Sequence, residues 1–402
     1  MMDRRKERQT IVDEIRGASL FGILMANMLI FQFGMWGKDE LELFGLSDTE
    51  AWAHTMVKIV IEGSFMPIFA FLFGYGMYKL MEGQLARNGT YKWVLIRRFA
   101  MLIGLGTLHS LFIWEGDILM VYGLMGLLLI VFLKRKAKTV LVWGVVLLSL
   151  FGLTGLGVSG MNLEQEVMDK ERTREYVLES TEIYQTGSYP DIFQFRLEDA
   201  GPIDEAPIVM IAAIVLAPIL IAPMFLFGIY AAKKEWFHRP EQKRSFYRKW
   251  ALLLASAGLL LKTLPYVAPD FILSGIGETA AAPLLAIGYI MGFAWLFSLG
   301  SAGVLRQGFE AVGRLSLTNY LLQSIVCTTL FYGYGFGWYG KLGVLAGIVI
   351  ALTLYALQLL GSFWYVKRFR IGPVERLLRV WTYWSWRGRP KTIVREQIDL
   401  NA

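Results

Sequence analysis

Residues 94–114 form an apolar run of membrane-spanning length that carries one histidine, His109. The other two histidines, His54 and His238, fall in connecting segments. An ionisable group at membrane depth is costly and marks a functional site by default. A neutral imidazole there can act as a general base. It takes the proton of an acceptor hydroxyl or amine during attack on an acyl carbonyl, or is itself acylated. A carboxylate, Asp117 or Glu62, would fix its tautomer and stabilise the imidazolium. Asn27 and Gln323 could donate hydrogen bonds to an oxyanion. Arg16, Arg98 and Arg314 suit the phosphates of a cytosolic donor such as an acyl-coenzyme A, acetyl-CoA in the simplest case.

Each of these groups also has a purely structural reading. His109 and its carboxylate can be a packed interhelical hydrogen bond. Arg97 and Arg98 can be ordinary positive-inside anchors. Asn319 and Gln323 can be polar contacts between helices. Asp13 and Arg16, three residues apart on one helical face, can be a local ion pair. The stretch Phe73-Gly74-Tyr75-Gly76 lies inside a span, where small-residue packing accounts for it better than a binding loop.

The elements that must position these groups are transmembrane helices. The chain has 402 residues, 55% of them hydrophobic and 18% charged, and the apolar residues come in blocks of about 20, the length that crosses a bilayer. Ten spans are expected, at about 17–36, 57–80, 94–114, 118–133, 140–159, 207–232, 251–267, 280–300, 309–332 and 342–366. The fold class is therefore all-α, a polytopic bundle over residues 1–366 with an outer loop at 161–206 and a cytoplasmic tail at 367–402. Thirteen tryptophans, many near the ends of apolar runs, fit an interfacial belt. The loops alternate in charge. Basic segments at 3–6, 79–98, 134–138, 233–249, 306–314 and 367–389 alternate with acidic ones at 38–50, 115–117 and 161–205, which puts both termini in the cytoplasm. The outer segment, with Glu164, Glu166, Glu171, Glu175 and Glu179 in a helix-permissive stretch, either caps the outer mouth or is a solvated connector. The tail begins Gly372-Pro373 and mixes apolar and basic residues, as an interfacial helix on membrane lipids does.

Helical rise sets the depth of each polar group. Asn27 and His109 each lie eleven residues beyond an arginine, Arg16 and Arg98, so both are expected about 16 Å above it. In the ninth span Asn319 and Gln323 follow Arg314 at about 8 and 14 Å. Glu62 falls in the outer third of the second span and Asp117 at the outer lip, just past His109. The net charge of +7 is accounted for by the positive-inside bias and does not call for nucleic acid. A single cysteine, Cys327, excludes a disulfide framework and a thiolate metal cluster, and no metal site is expected. No cleavable signal peptide is evident.

The segment Val12-Asp13-Glu14-Ile15-Arg16-Gly17-Ala18-Ser19-Leu20-Phe21-Gly22-Ile23, ending in Asn27, resembles the opening of the YeiB-like bacterial membrane proteins, known as domain of unknown function 418. Phe71-Leu72-Phe73-Gly74-Tyr75-Gly76 is similar to that family's second motif. Arg97-Arg98 through Gly106, His109, Trp114, Gly116-Asp117-Ile118-Leu119 and Tyr122 resembles its third. Gly313-Arg314-Leu315-Ser316-Leu317-Thr318-Asn319-Tyr320-Leu321-Leu322-Gln323-Ser324 and Gly372-Pro373-Val374-Glu375 to Arg379 resemble its late and closing motifs. The family is similar to heparan-alpha-glucosaminide N-acetyltransferase and to the acyltransferase-3 membrane enzymes. The resemblance implies a multi-pass protein of the cell membrane that moves an acyl group from cytosolic acyl-CoA to an envelope or extracellular acceptor, a glycan or another small molecule. The chain departs from the acyltransferase-3 pattern at one point. Those proteins carry Arg, ten residues and then His in the first span, whereas the same spacing from Arg16 ends here in Asn27. His109 is left as the candidate base. The alternative is a transporter or exporter of a small molecule or lipid-linked substrate, drawn from the same midplane polar groups and Gly-interrupted helices. A scaffold without chemistry leaves the shared depth of Asn27, His109 and Gln323 unexplained. A homodimer is compatible with either function.

Overall fold

The structure, a computed structural model, describes residues 10–88, 90–156, 163–198, 201–202, 207–300 and 303–388. The basic start at 3–6, the ends of the outer segment at 161–162 and 203–206, and the tail past 388 lie outside the described residues. The chain is all-helical, with no strand among the described residues. The helices are α1 (Thr10–Gly37), α2 (Asp48–Val60), α3 (Met66–Asn88), α4 (Lys92–Phe112), α5 (Leu119–Leu129), α6 (Ala137–Thr154), α7 (Leu163–Thr186), α8 (Tyr189–Glu198), α9 (Pro207–Lys233), α10 (Arg244–Val267), α11 (Ser274–Thr279), α12 (Ala281–Ser298), α13 (Val304–Arg314), α14 (Ser316–Phe331), α15 (Val344–Phe369) and α16 (Pro373–Tyr383). Among the described residues, six helical segments suffice by length and composition to cross a membrane: those containing α1, α4, α6, α10, α12 and α15. Shorter apolar helices run at Leu119–Phe132 and Leu220–Lys233.

Small residues set the helix pairings. A Cβ on Gly74 of α3 would fall on the Phe225 carbonyl of α9, and one on Gly228 of α9 on the Phe71 carbonyl of α3. Gly17 of α1 and Gly313 of α13 stand in the same relation to the backbone of Phe309 and Asp13. Such close approach is how helices associate where no hydrophobic drive exists between them. Gly74 is therefore a packing residue. Gly76, two residues on, has open space around it.

Two expected spans are divided. Residues 57–80 do not form one helix: α2 ends at Val60 and α3 starts at Met66. Pro67 cannot sit in a helix interior, and Gly63 adopts φ 71°, a conformation that favours glycine. The broken end leaves carbonyls without partners, which is untenable at membrane depth. Lys262 of α10 supplies the donor, bonding to the carbonyls of Lys58 and Glu62 and, at 3.3 Å, to Ser64 Oγ. Glu62 itself pairs with Lys38 at 2.7 Å. His54, expected in a connecting segment, lies inside α2.

The second division falls at Leu315, between α13 and α14. The opening of α14 is closed by a carboxylate from α16. Glu375 Oε1 accepts the amides of Leu317 and Thr318 at 2.8 and 3.0 Å, and Oε2 accepts the Thr318 hydroxyl at 2.6 Å. A negative charge at a helix start is favourable on both hydrogen-bond and dipole grounds. α16 begins as expected, with Pro373 at its first position. It buries Leu378 and Thr382 and exposes Leu377 and Trp381.

The outer segment folds into α7 and α8, and α8 lies over the end of α4. Tyr189 donates to the Phe112 carbonyl at 2.8 Å, and Arg196 donates to the carbonyls of Leu111 and Ile113 at 2.7 and 3.1 Å. The last carbonyls of a helix need such donors. Asp191 anchors the start of α8 by accepting from both the amide and the hydroxyl of Ser188 (2.9 and 2.6 Å), and these bonds hold its carboxyl below the usual aspartate range.

Overpacking a backbone-to-backbone crossing costs about 1–3 kcal/mol. Gly74→Val is expected to lower the thermal unfolding midpoint of the protein in lipid nanodiscs. Gly104→Ala, in a helix with nothing within 4 Å of the new atom, is expected to leave it unchanged.

Candidate active site

His109 sits in the last turn of α4, and the amides of Ile113 and Trp114 both donate to its carbonyl at 2.9 Å. The helix ends there, and the turn that follows returns Asp117 to the imidazole. Nδ1 lies 2.9 Å from Asp117 Oδ1, with the two side chains 1% and 2% exposed. The other oxygen, Oδ2, accepts the amide of Met120 at 2.9 Å, in the first turn of α5. Asp117 is thus fixed at both oxygens. Gly106, three residues before His109 and on the same face, makes room for it. A Cβ there would lie 2.5 Å from Asp117 Oδ2 and collide with the Met120 amide.

The tautomer follows from these contacts. A carboxylate only accepts, so Nδ1 carries the proton and Nε2 the lone pair. Nε2 is buried and has no hydrogen-bond partner among the described residues, as is true of Trp114 Nε1. The two rings are 6.4 Å apart, edge to face, and Tyr320 of α14 packs on the imidazole at 5.4 Å. Buried polar atoms without partners are exceptional in folded proteins. An acceptor nitrogen and a donor N–H on neighbouring rings are groups that a proton-transfer site with a developing anion can use.

A cavity of about 750 Å³ approaches this pair from the other end of α4. Arg16, Arg98 and Arg314, picked out in the sequence on three different helices, all line it, together with Arg87 and Arg379. Arg16 is paired with Asp13 at 2.9 Å, as the local reading had it. Arg314 bonds to the Arg370 carbonyl at 2.8 Å, with Glu310 at 3.8 Å. Arg98 has no hydrogen-bond or ion-pair partner among the described residues. The neighbouring carboxylate, Glu375, is engaged with α14. Beyond the arginines the walls turn apolar and aromatic and finish at Leu102, Ile118, Tyr122 and Tyr320. His109 does not line the cavity. Tyr320 and Ile118, the residue after Asp117, stand between.

The other expected site residues lie elsewhere. Gln323 donates to Gln358 Oε1 at 2.8 Å, Gln358 donates to the Asn319 carbonyl at 3.0 Å, and Asn319 donates to Ser362 at 2.9 Å. These groups tie α14 to α15, and none lines the cavity. Asn27 is half-buried on α1 and makes no hydrogen bond with His109. Glu62 belongs to the Lys38 pair at the α2–α3 break, so the carboxylate at the imidazole is Asp117. Tyr320, Arg87, Arg379 and Trp114 Nε1 were not picked out as site groups by sequence reasoning. Tyr320 adjoins Asn319 in the late motif, and a polar-ended aromatic beside a polar residue in an apolar span was the available signal.

Asp117→Ala is expected to strip two buried donors, His109 Nδ1–H and Met120 N–H, of their acceptor. Each unsatisfied group costs about 1–3 kcal/mol. Thermal unfolding in nanodiscs should drop clearly for Asp117→Ala and less for Asp117→Asn, which keeps an acceptor oxygen.

A family model described as a protein of unknown function, DUF418, matches residues 231–385. The uncharacterized protein YxaH of Bacillus subtilis (strain 168) is 33% identical over 399 residues, covering 94% of this chain and 95% of the relative. The uncharacterized protein YeiB of Escherichia coli (strain K12) is 28% identical over 395 residues, covering 95% and 96%. With similarity running the length of both chains, the protein belongs to the YeiB-like DUF418 family.

Proposed function

We propose that the protein is a multi-pass acyltransferase of the cell membrane, with both termini cytoplasmic, that takes an acyl group, acetyl in the simplest case, from acyl-CoA. One observation carries the reading. A single cavity joins a cluster of guanidiniums to the wall behind a buried His–Asp pair whose Nε2 is free. Guanidiniums bind phosphate oxygens through paired N–H donors. The cavity volume is that of a small-molecule site. The donor's phosphates lie at Arg98, Arg314 and Arg379, and the thioester points toward Tyr320.

The chemistry is general-base acyl transfer. The acceptor hydroxyl or amine attacks the thioester carbonyl as His109 Nε2 takes its proton, and Asp117 stabilises the imidazolium. The Trp114 N–H faces the developing oxyanion, a role for which Gln323, bonded to Gln358, is not placed. Collapse breaks the C–S bond, and the imidazolium returns the proton to the leaving thiolate. The ring is 2% exposed, so turnover requires the Tyr320 side chain to swing aside.

The test is incubation of purified protein with radiolabelled acetyl-CoA and a membrane extract. Wild type should transfer label, and His109→Ala should not, while folding normally. Asp117→Asn should lower kcat by up to about 10⁴-fold, because an amide does not hold His109 in the base tautomer as a carboxylate does. Arg98→Ala should raise KM for the donor by about tenfold or more, as a lost charge-assisted bond does. Full transfer by His109→Ala would overturn the reading. The broken helices at 61–65 and Leu315 favour transport as the second reading. Substrate flux in proteoliposomes without acyl-CoA would establish it.

A further inference from the structure

Two phenols stand at the deep end of the arginine-lined cavity, Tyr122 of α5 and Tyr320 of α14. They differ in one respect. Tyr122 gives its proton to the Met66 carbonyl at 2.8 Å. Tyr320 is 4% exposed, and no acceptor among the described residues takes the proton of its hydroxyl. The groups beside it are committed elsewhere. The Asp117 charge reaches the phenol, but Oδ1 faces His109 and Oδ2 holds the Met120 amide. The backbone group beside the phenol is Ile118. Its carbonyl accepts the Tyr122 amide at 3.0 Å. Its own amide is a donor, which leaves the phenol proton uncommitted.

A buried hydroxyl without an acceptor is costly, and packing does not call for one here. Phenylalanine would fill the same wall. Two other hydroxyls, on Thr181 and Thr382, are buried without partners among the described residues, and neither residue lines the cavity. The Tyr320 hydroxyl is therefore singled out by place as well as by its missing acceptor.

The place gives it a role. His109 and Trp114 do not line the cavity, so an acyl group arriving from the arginines meets Tyr320 before either of them. The phenol ring lies 5.4 Å from the imidazole. We propose that Tyr320 is a catalytic residue whose hydroxyl donates to the thioester carbonyl oxygen and stabilises the oxyanion that forms there, as a second donor beside the Trp114 N–H. This inference rests on the acyltransferase reading. The phenol keeps its proton throughout. The acceptor's proton passes to His109 Nε2 and then to the leaving thiolate. A preorganised donor aimed at developing charge in a site without water acts far more strongly than in solution. The same ring must also move before the imidazole is reached, so gate and donor belong to one side chain. Tyr320→Phe separates them, because it keeps the ring and removes the donor.

The test uses the purified full-length protein in nanodiscs. Tyr320→Phe should lower kcat for label transfer from acetyl-CoA by about 10²–10³-fold, the loss that follows removal of one oxyanion donor, with KM for acetyl-CoA unchanged. Its thermal unfolding midpoint should not fall, since no hydrogen bond is lost. Tyr122→Phe, which strands the Met66 carbonyl, should lower that midpoint. Infrared difference spectra of carbonyl-labelled acetyl-CoA supply a readout that needs no turnover. The bound thioester carbonyl should shift to lower frequency in wild type and lose the shift in Tyr320→Phe. Undiminished kcat in Tyr320→Phe, or a shift that survives the substitution, overturns the proposal and leaves the acyltransferase reading standing. A shift that depends on Tyr320, without label transfer by wild type, leaves the carbonyl contact standing and removes the acyltransferase reading. A wild type that neither transfers label nor shifts the carbonyl overturns both.

Discussion

Inside an apolar slab every hydrogen-bonding group must find a partner within the protein, because no water is there to supply one. This requirement explains the joints of the fold. Lys262 crosses from α10 to close the broken end of α2. Glu375 reaches back from α16 to close the start of α14. Arg196 and Tyr189 satisfy the last carbonyls of α4. Asp117 joins the end of one helix to the beginning of the next, serving His109 and Met120 at once. Buried side-chain atoms without a partner recur among the described residues, and His109 Nε2 and Trp114 Nε1 are two of them, on adjoining rings. Arg98 faces a cavity whose one lining carboxylate, Glu375, is engaged with α14.

Much of this geometry was legible in the sequence. The eight-residue interval from His109 to Asp117 spans the last helical turn and a short return, close enough for one carboxylate to reach the ring. The arginines converge because Arg16 and Arg98 lie near the starts of α1 and α4 and Arg314 just before the start of α14, a depth that residue counting fixes. Which way a side chain points around its helix is a different matter. Asn27 was placed at the depth of His109, and the structure has it half-buried without reaching the ring. Gln323 and Asn319 turn toward α15 because Gln358 and Ser362 wait there, partners 35 and 43 residues away in the chain that no local pattern announces. The division of residues 57–80 was signalled by Gly63 and Pro67, but the apolar stretch around them outweighed those marks. Lys262, a lone charge in an apolar span, bonds across to the gap after α2, a partner that local sequence does not show.

A second, smaller cavity of about 250 Å³ shares α1 with the first and differs from it in character. One is lined by cations at its mouth and hydrocarbon at its depth, the other by aromatic rings around a neutralised ion pair. The imidazole is held by a carboxylate whose two oxygens are both engaged, one by the ring and one by the Met120 amide. Gly106 makes that arrangement possible, since any side chain there would push α5 away and take Asp117 with it.

Glu375 does more than close a helix. The amides it holds belong to Leu317 and Thr318, and Tyr320 follows within the same turn of α14. The helix that carries Glu375 also contributes Leu378, Arg379 and Tyr383 to the cavity mouth. A displacement of α16 would therefore unlatch the mouth and loosen the footing of the tyrosine at the far wall in one stroke. Mouth and partition are hung on a common hinge pin, two doors of one airlock whose opening is mechanically correlated.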